Sequence, residues 1–129
     1  MMDVELMIPT LMECAKRIRR QLGPGYLESV YKNAMVIELK KCGLGYEIER
    51  PIDVFYDQQI VGKFKADIIV EDQVILEMKA VSDLHLAHEI QLVNYLTATG
   101  IDNGLIINFG SDSLQFKRKF RVYKKTPNL

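Results

Sequence analysis

Three charged residues lie within strand-like apolar sequence, where a purely structural strand would carry hydrophobic side chains. Asp67 stands in the segment 64–70, and Glu77 and Lys79 stand in the segment 74–80. Charged side chains are rarely buried unless they are paired or bound to a metal. An Asp followed one strand later by Glu-x-Lys is a compact way to build a divalent-metal site beside a lysine. The first hypothesis is therefore phosphodiester cleavage.

The spacing of the two segments predicts that these charges share one face of a hairpin. If Val70 pairs with Val74 across a three-residue loop, Asp67 lies directly opposite Glu77, with Cβ atoms about 5 Å apart. Lys79 is two residues beyond Glu77 and therefore points to the same face. The opposite face is predicted to be core, and it carries Phe64, Ala66, Ile68, Leu76 and Met78.

Two carboxylates this close repel each other unless a cation lies between them. Oxygen ligands of this kind favour Mg²⁺ or Mn²⁺, and such an ion can polarise a phosphoryl oxygen and lower the pKa of a bound water. Lys79 would then orient that water or stabilise the charge that builds on the phosphate. The alternative is structural, with Lys79 neutralising Glu77 and Asp67 in an inter-strand ion pair.

The hydrophobic periodicity predicts the elements that position these residues. Two helices are expected at about 4–22 and 26–42, and Gly23-Pro24-Gly25 separates them. The remaining predicted elements are strands at about 46–56, 60–70 and 74–81, a helix at about 84–98, and strands at about 105–109 and 113–123. The helix at 84–98 implies a parallel crossover. We therefore expect an α/β (α+β) fold with a central mixed sheet flanked by helices.

The bulk composition is that of an ordinary globular protein. A chain of 129 residues, 48% hydrophobic and 26% charged, predicts one domain over residues 1–129. The 17 basic and 17 acidic residues give zero net charge, which argues against a strong nonspecific nucleic-acid binder but does not exclude a nuclease. Basic residues cluster within 16–20 and 117–125, as solvated faces or, alternatively, as phosphate contacts.

The sequence also predicts a compartment. The N-terminus lacks the basic start and apolar core of a signal peptide, and no apolar run is long enough to span a membrane. Cys14 and Cys42 lie far apart in predicted helices and fit neither a CxxC pair nor a disulfide framework. We therefore expect a cytoplasmic protein in a reducing environment.

A series of short motifs along the chain resembles a known group of proteins. The motifs are GxxExxY at 25–31, Gly62, Ala66-Asp67, Glu77-Met78-Lys79, His88-x-x-Gln91-x-x-x-Tyr95-Leu96, Gly104-Leu105 and Asn108-Phe109-Gly110. Together they resemble the GxxExxY family of small bacterial and archaeal proteins, which is assigned to the PD-(D/E)xK nuclease-like superfamily. The resemblance covers about residues 5–120 and departs from the superfamily pattern in having Ala66 where the PD element has proline.

The resemblance implies a restriction-endonuclease-like three-layer core and a role for each motif residue. It carries Asp67 and Glu77 over as metal ligands and Lys79 as the catalytic lysine. Glu28 would be the acidic residue that the first core helix adds to the site, as a further metal ligand. Gln91 sits where many such nucleases carry a helical polar residue near the lysine.

Three aromatic or imidazole residues accompany these motifs. Tyr31 lies one turn after Glu28 on the same helix face, and either positions Glu28 or packs in the core. His88, Gln91 and Tyr95 share a face of the third helix. They form either a polar wall of the active site or a hydrogen-bonded layer between helix and sheet.

The leading prediction is a nuclease dependent on Mg²⁺ or Mn²⁺ that acts on nucleic acid, with DNA as the expected substrate. A homodimer is one expected arrangement, because nucleases that cut both strands often need two sites. The alternative is a catalytically silent module that keeps the fold and binds nucleic acid or protein. The neutral net charge and the lack of a separate DNA-reading segment favour this alternative.

Overall fold

The computed structural model describes residues 2–121. Its elements are α1 (Val4–Leu22), α2 (Glu28–Lys41), β1 (Tyr46–Tyr56), β2 (Gln59–Val70), β3 (Val74–Lys79), α3 (Leu86–Thr99), β4 (Asn103–Asn108) and β5 (Gln115–Phe120). This is the order that the periodicity predicts. The last predicted strand extends to residue 123, and its positions 122–123 lie outside the described residues. None of the helices within 2–121 combines the length and apolar character needed to cross a bilayer.

The five strands form one mixed sheet in the order β1-β2-β3-β4-β5. Strands β3 and β4 are parallel and are joined through α3, whereas the other neighbouring pairs are antiparallel. The parallel crossover and the mixed sheet are therefore confirmed. Pro51 lies in the edge strand β1, where a missing ladder donor is tolerated.

Helices cover both faces of this sheet, which makes three layers. On one face, α1 and α2 pack over Ile68, Leu76 and Met78. On the other face, the buried residues of α3 pack over a second cluster that includes Ile69 and Ile75. Helix α3 approaches β4 closely, since a Cβ added at Gly104 would lie 2.9 Å from the Leu92 side chain.

The loop between β2 and β3 sets the register on which the charged residues depend. Glu71 and Asp72 adopt φ values of 53°, and the Gln73 amide donates to the Val70 carbonyl at 2.9 Å. Val70 pairs with Val74, as the sequence predicts. The pairing continues to Ile68 and Leu76, the residues next to Asp67 and Glu77.

The predicted division of β2 into a charged face and a core face is wrong at two positions. Ile68 packs with α1 and α2 as expected, but Ala66 packs in the cluster under α3. Phe64 also lies on the α3 side, with its ring 5.7 Å from the Tyr95 ring. Strict alternation therefore fails between Ala66 and Ile68, which is the position of Asp67.

The cysteines are also arranged differently from the prediction. Cys14 in α1 and Cys42 at the end of α2 are 28 positions apart, but their Sγ atoms lie 3.9 Å from each other. Both are free thiols, with Cys14 buried and Cys42 exposed. The antiparallel packing of α1 against α2 brings together residues that sequence separation alone places far apart.

Candidate active site

The site is centred on a pair of carboxyl groups from β2 and β3. Glu77 is buried, and it interacts with Asp67 through a side-chain hydrogen bond and through charge. Burial, followed by these contacts with Asp67, raises the pKa of Glu77 from 4.5 to about 9. Glu77 is therefore protonated at neutral pH when no cation is bound. The proton keeps the two neighbouring carboxyl groups from both carrying negative charge.

A local break in the strands positions Asp67. Strand β1 pairs Ile48 with Ile68 and Arg50 with Ala66 but leaves Glu49 and Asp67 unpaired between them. Glu49 has a φ of 54°, which is uncommon for a residue with a side chain. This break is the physical reason why alternation fails along β2.

The Asp67 side chain also replaces a backbone partner where β2 and β3 separate. Its carboxylate accepts the Met78 amide at 2.9 Å, and the described β2–β3 pairing ends at Ile68 and Leu76. One oxygen of Asp67 is thereby fixed by the backbone of β3. Its carboxyl group is held beside Glu77 without any need for an ion pair.

Lys79 lies near this pair but forms no ion pair among the described residues. Its charge lowers the pKa of Glu77, although less than burial and Asp67 raise it. The same charge helps to lower the pKa of His88. The structural alternative, in which Lys79 neutralises Glu77 and Asp67 by direct contact, is therefore not the arrangement that the fold adopts.

Glu28 stands at the rim of the site on the first turn of α2, with an exposed side chain. Its charge acts on His88, as does the charge of Lys79, so both groups face the start of α3. Among residues 2–121, no three His, Cys, Asp or Glu side chains lie close enough to hold a metal ion together. The role of Glu28 as a further metal ligand therefore stays a prediction.

Tyr31 organises the loop that leads to Glu28. The Tyr31 side chain is fully buried, and its ring stacks on Phe109 with centroids 4.4 Å apart. Its hydroxyl donates to the Gly23 carbonyl at 2.7 Å and accepts the Tyr26 amide at 3.2 Å. Tyr31 thus packs in the core and fixes the loop before α2, whereas its positioning of Glu28 stays a prediction.

Helix α3 contributes residues with different environments. The Nδ1 atom of His88 accepts the His85 amide at 3.2 Å, which caps the helix. Burial is the main cause that lowers the pKa of His88. Tyr95 is buried, and its pKa is raised by burial and then by the charges of Glu77 and Asp67, so Tyr95 faces the carboxyl pair.

Gln91 is exposed and lines an open groove rather than contacting the carboxyl pair. The groove has a volume of about 790 Å³ and runs between α3 and the far half of the β1–β2 hairpin. Phe55 and Phe64 line its hairpin side, and Tyr95 lies at its base. Tyr95 therefore borders both the groove that contains Gln91 and the carboxyl pair.

Two residues that sequence reasoning did not place in this region hold the chain as it leaves Lys79. Buried Asn108 accepts the amides of Val81 and Gly110 and donates to the Val81 carbonyl. A Cβ added at Gly110 would lie 2.5 Å from the backbone of Ala80 and Val81. The motif Asn108-Phe109-Gly110 could have indicated these residues in the sequence. The segment that they contact, at Ala80 and Val81, cannot be identified without knowing that β3 and β4 are parallel neighbours.

Most of the described basic residues in the clusters at 16–20 and 117–125 form hydrogen bonds or ion pairs within the protein. Arg17 contacts the Glu38 carboxylate, and Arg19 donates to the carbonyls of Ser111 and Asp112. Arg118 forms a bidentate pair with Glu5. Positions 122–125 lie outside the described residues. For these arginines, intramolecular pairing accounts for the charge without a phosphate contact.

The chemistry of the carboxyl pair suits a hard divalent ion. Two oxygen donors that together retain an extra proton at neutral pH offer a site where a cation can replace that proton. Asp67 and Glu77 come from adjacent strands of one sheet and are held by its backbone. The donor set therefore fits Mg²⁺ or Mn²⁺, with Lys79 beside it.

Comparisons with known proteins identify a family and a similar fold. The family model of the PD-(D/E)XK nuclease superfamily matches residues 5–120. The crystal structure of SSO0001 has a similar fold, with a TM-score of 0.61 and 16% sequence identity. The match covers 74% of this chain and half of that chain. No curated protein sequence matches this one.

The likeness in structure confirms the restriction-endonuclease-like three-layer core, a mixed five-stranded sheet with helices on both faces. The matched segment runs from the first turn of α1 to the last residue of β5. It includes all of the motif residues described above. This protein therefore belongs to the PD-(D/E)XK nuclease superfamily.

Proposed function

We propose that this protein is a nuclease that hydrolyses phosphodiester bonds in nucleic acid, with DNA as its substrate, and that it depends on Mg²⁺ or Mn²⁺. The observation that carries the proposal is the Asp67–Glu77 pair, in which Glu77 is buried and its pKa is raised to about 9. A purely structural pair would be expected to recruit the nearby Lys79, and it does not. Membership of the superfamily, whose members generally use divalent metals, supports the same activity.

In the proposed mechanism, Asp67 and Glu77 would hold the ion, with Glu28 on the α2 rim as a further ligand. A bound divalent ion supplies a Lewis acid that polarises a phosphoryl oxygen of the substrate. The Lys79 amine, which has no carboxylate partner among the described residues, orients the attacking water or donates to the oxygen that gains negative charge. Gln91 contacts the substrate from the groove.

Lys79 supplies the positive charge that acts on Glu77. The pKa of His88 is lowered, chiefly by burial and then by Lys79 itself. His88 is therefore neutral at pH 7, and its Nδ1 is occupied in capping α3. The charge that develops on the phosphate must be met by Lys79 and the bound ion.

The test is cleavage of single- and double-stranded DNA and RNA in Mg²⁺, in Mn²⁺ and in a chelator. We expect metal-dependent cleavage that Glu77→Gln and Lys79→Ala reduce by about 100-fold or more, the size expected for loss of a group that acts at the transition state. Lys40→Ala is the matched control, since Lys40 is an exposed residue of the last turn of α2. Cleavage that survives in both active-site variants would overturn the proposal.

Within the superfamily, we assign the chain to the GxxExxY group. Gly25 has a φ of 111°, a conformation that favours glycine, and the Tyr31 hydroxyl fixes the same loop through Gly23. Each fixed residue of the signature therefore has a physical role in presenting Glu28. The assignment predicts that Gly25→Ala lowers cleavage more than it lowers stability, because the strain falls on the loop rather than on the core.

If both strands of a duplex are cut, we further propose a homodimer that supplies two sites. Sedimentation measured with and without duplex DNA tests this arrangement. A monomer under both conditions, combined with cleavage of both strands in one binding event, would contradict it.

A further inference from the structure

Two cysteines on the side of the fold formed by α1 and α2 meet the first geometric requirement for a covalent link. Their Sγ atoms are 3.9 Å apart, and a disulfide brings sulfurs to about 2 Å. Cys42 is the C-cap residue of α2 and is exposed.

We propose that Cys14 and Cys42 form a reversible disulfide, a modification site that joins the middle of α1 to the end of α2. The pair is independent of the carboxyl site, which lies at the other end of α2. In the reducing cytoplasm predicted from the sequence, both residues would rest as thiols. The bond would then form when the surroundings become more oxidising.

One charged neighbour, Arg17, opposes the effect of burial on the Cys14 sulfur. The Arg17 guanidinium lies 3.4 Å from the Cys14 Sγ atom, and its Nε donates to the Glu38 carboxylate at 3.1 Å. Lys41 lies 3.6 Å from the same carboxylate. Arg17 is therefore held in place beside the sulfur, where a cation favours the thiolate that attacks or leaves during exchange.

The two sulfurs have different roles in the exchange. Burial raises the pKa of Cys14 to about 11, so at neutral pH Cys14 is almost entirely a thiol. Cys42 is exposed and can reach a reagent in solution. The first attack therefore belongs to Cys42, and Cys14 completes the bond.

The co-reactant we propose is a small-molecule disulfide such as oxidised glutathione. The Cys42 thiolate attacks one of its sulfurs, which forms a mixed disulfide and releases one glutathione thiolate. Cys14 then loses its proton and attacks the Cys42 sulfur, which releases the second glutathione. Overall, two protein thiols are oxidised, and one glutathione disulfide is reduced to two thiols.

The test treats the full chain, under native conditions, with oxidised glutathione and measures its intact mass without reduction. We expect a monomer lighter by two hydrogens and without a glutathione adduct, and a peptide map that joins the Cys14 and Cys42 peptides. The thermal midpoint should rise by several degrees, because the cross-link restricts the unfolded chain. Dithiothreitol should reverse both changes.

Two variants separate the roles of the cysteines. Cys14→Ala should retain glutathione on Cys42, because no second thiol can displace it, whereas Cys42→Ala should stay unmodified, because Cys14 is buried. Cys42→Ala changes an exposed cap residue, so it keeps the test valid if Cys14→Ala does not fold. The proposal is wrong if wild-type protein keeps a stable adduct on Cys42, forms only Cys42-linked dimers, or stays fully reduced while Cys14→Ala accepts the adduct.

Discussion

Replacing Glu77 with Gln tests the electrostatics of the carboxyl pair directly. The substitution keeps the shape of the protonated side chain and removes its ability to ionise. In wild-type protein without divalent ions, the pKa of Glu77 is about 9 in the folded state, against an ordinary value of 4.5. Between these two pH values, the folded state therefore holds a proton that the unfolded state has released.

The sign of the pH effect follows from this difference. Since the unfolded state binds fewer protons, the free energy of unfolding of wild-type protein falls as pH rises from 4.5 toward 9. Each pH unit contributes about 1.4 kcal/mol for one proton. Between about pH 5 and pH 8, wild-type protein should therefore lose roughly 4 kcal/mol relative to Glu77→Gln, because the variant has no such titration.

Urea unfolding in a chelator at several pH values measures this difference, and the same experiment in Mg²⁺ or Mn²⁺ measures metal binding. We expect the ion to restore wild-type stability at neutral pH, because it binds the folded state and displaces the proton. Glu77→Gln should show little stabilisation by the ion. Glu13→Gln is the matched control, because it removes one negative charge from an exposed position on α1, where substitutions usually change stability by less than about 0.5 kcal/mol.

Two results would refute this reasoning. If wild-type protein and Glu77→Gln lose stability in parallel from pH 5 to pH 8, Glu77 does not hold the extra proton in the folded state. If both proteins are stabilised equally by Mn²⁺, the pair does not bind the ion. The first result would contradict the electrostatics of the site, and the second would contradict only the metal assignment.

Three further substitutions test how the framework supports the site. Tyr31→Phe keeps the stacked ring but leaves two backbone groups of the loop before α2 without their partner, so urea unfolding should show a loss of about 1–3 kcal/mol. Gly110→Ala should lose about 1–3 kcal/mol in the same assay, because its methyl group would overlap the backbone near Val81. Asn108→Asp removes the donor to the Val81 carbonyl, so its thermal midpoint should fall. Unchanged stability in both Gly110→Ala and Asn108→Asp would contradict the close approach of β4 to this segment.

The pairing of the β2–β3 hairpin, which brings Asp67 and Glu77 into the same region, could be predicted because a short loop determines it. Three residues between Val70 and Val74 leave little freedom in the pairing, and two of them adopt the positive φ values that a tight reversal needs. Counting from this loop places the residues up to Ile68 and Leu76. Other elements were predictable from periodicity, since apolar residues recur at helical spacing in α1 and alternate with polar residues in β1.

The failure of alternation at Ala66 could not be predicted in this way. It depends on a positive φ at Glu49 in the neighbouring strand and on the Asp67 carboxylate accepting a backbone amide of β3. Neither residue carries a marker such as glycine that would signal an irregular strand. The cysteine pair was missed because its geometry depends on how two helices pack, which the spacing of Cys14 and Cys42 does not contain.

The irregularity at Asp67 and the chemistry of the site have one physical origin. A strand that continued its regular pleat would keep the ladder with β3 intact and leave Asp67 with no backbone donor. By parting from β3 at this point, β2 lets the Asp67 carboxylate take the Met78 amide, which offsets part of the energy of holding a charge beside Glu77. Burial first and Asp67 second still raise the pKa of Glu77, and a divalent cation bound between the two groups would favour their ionised forms.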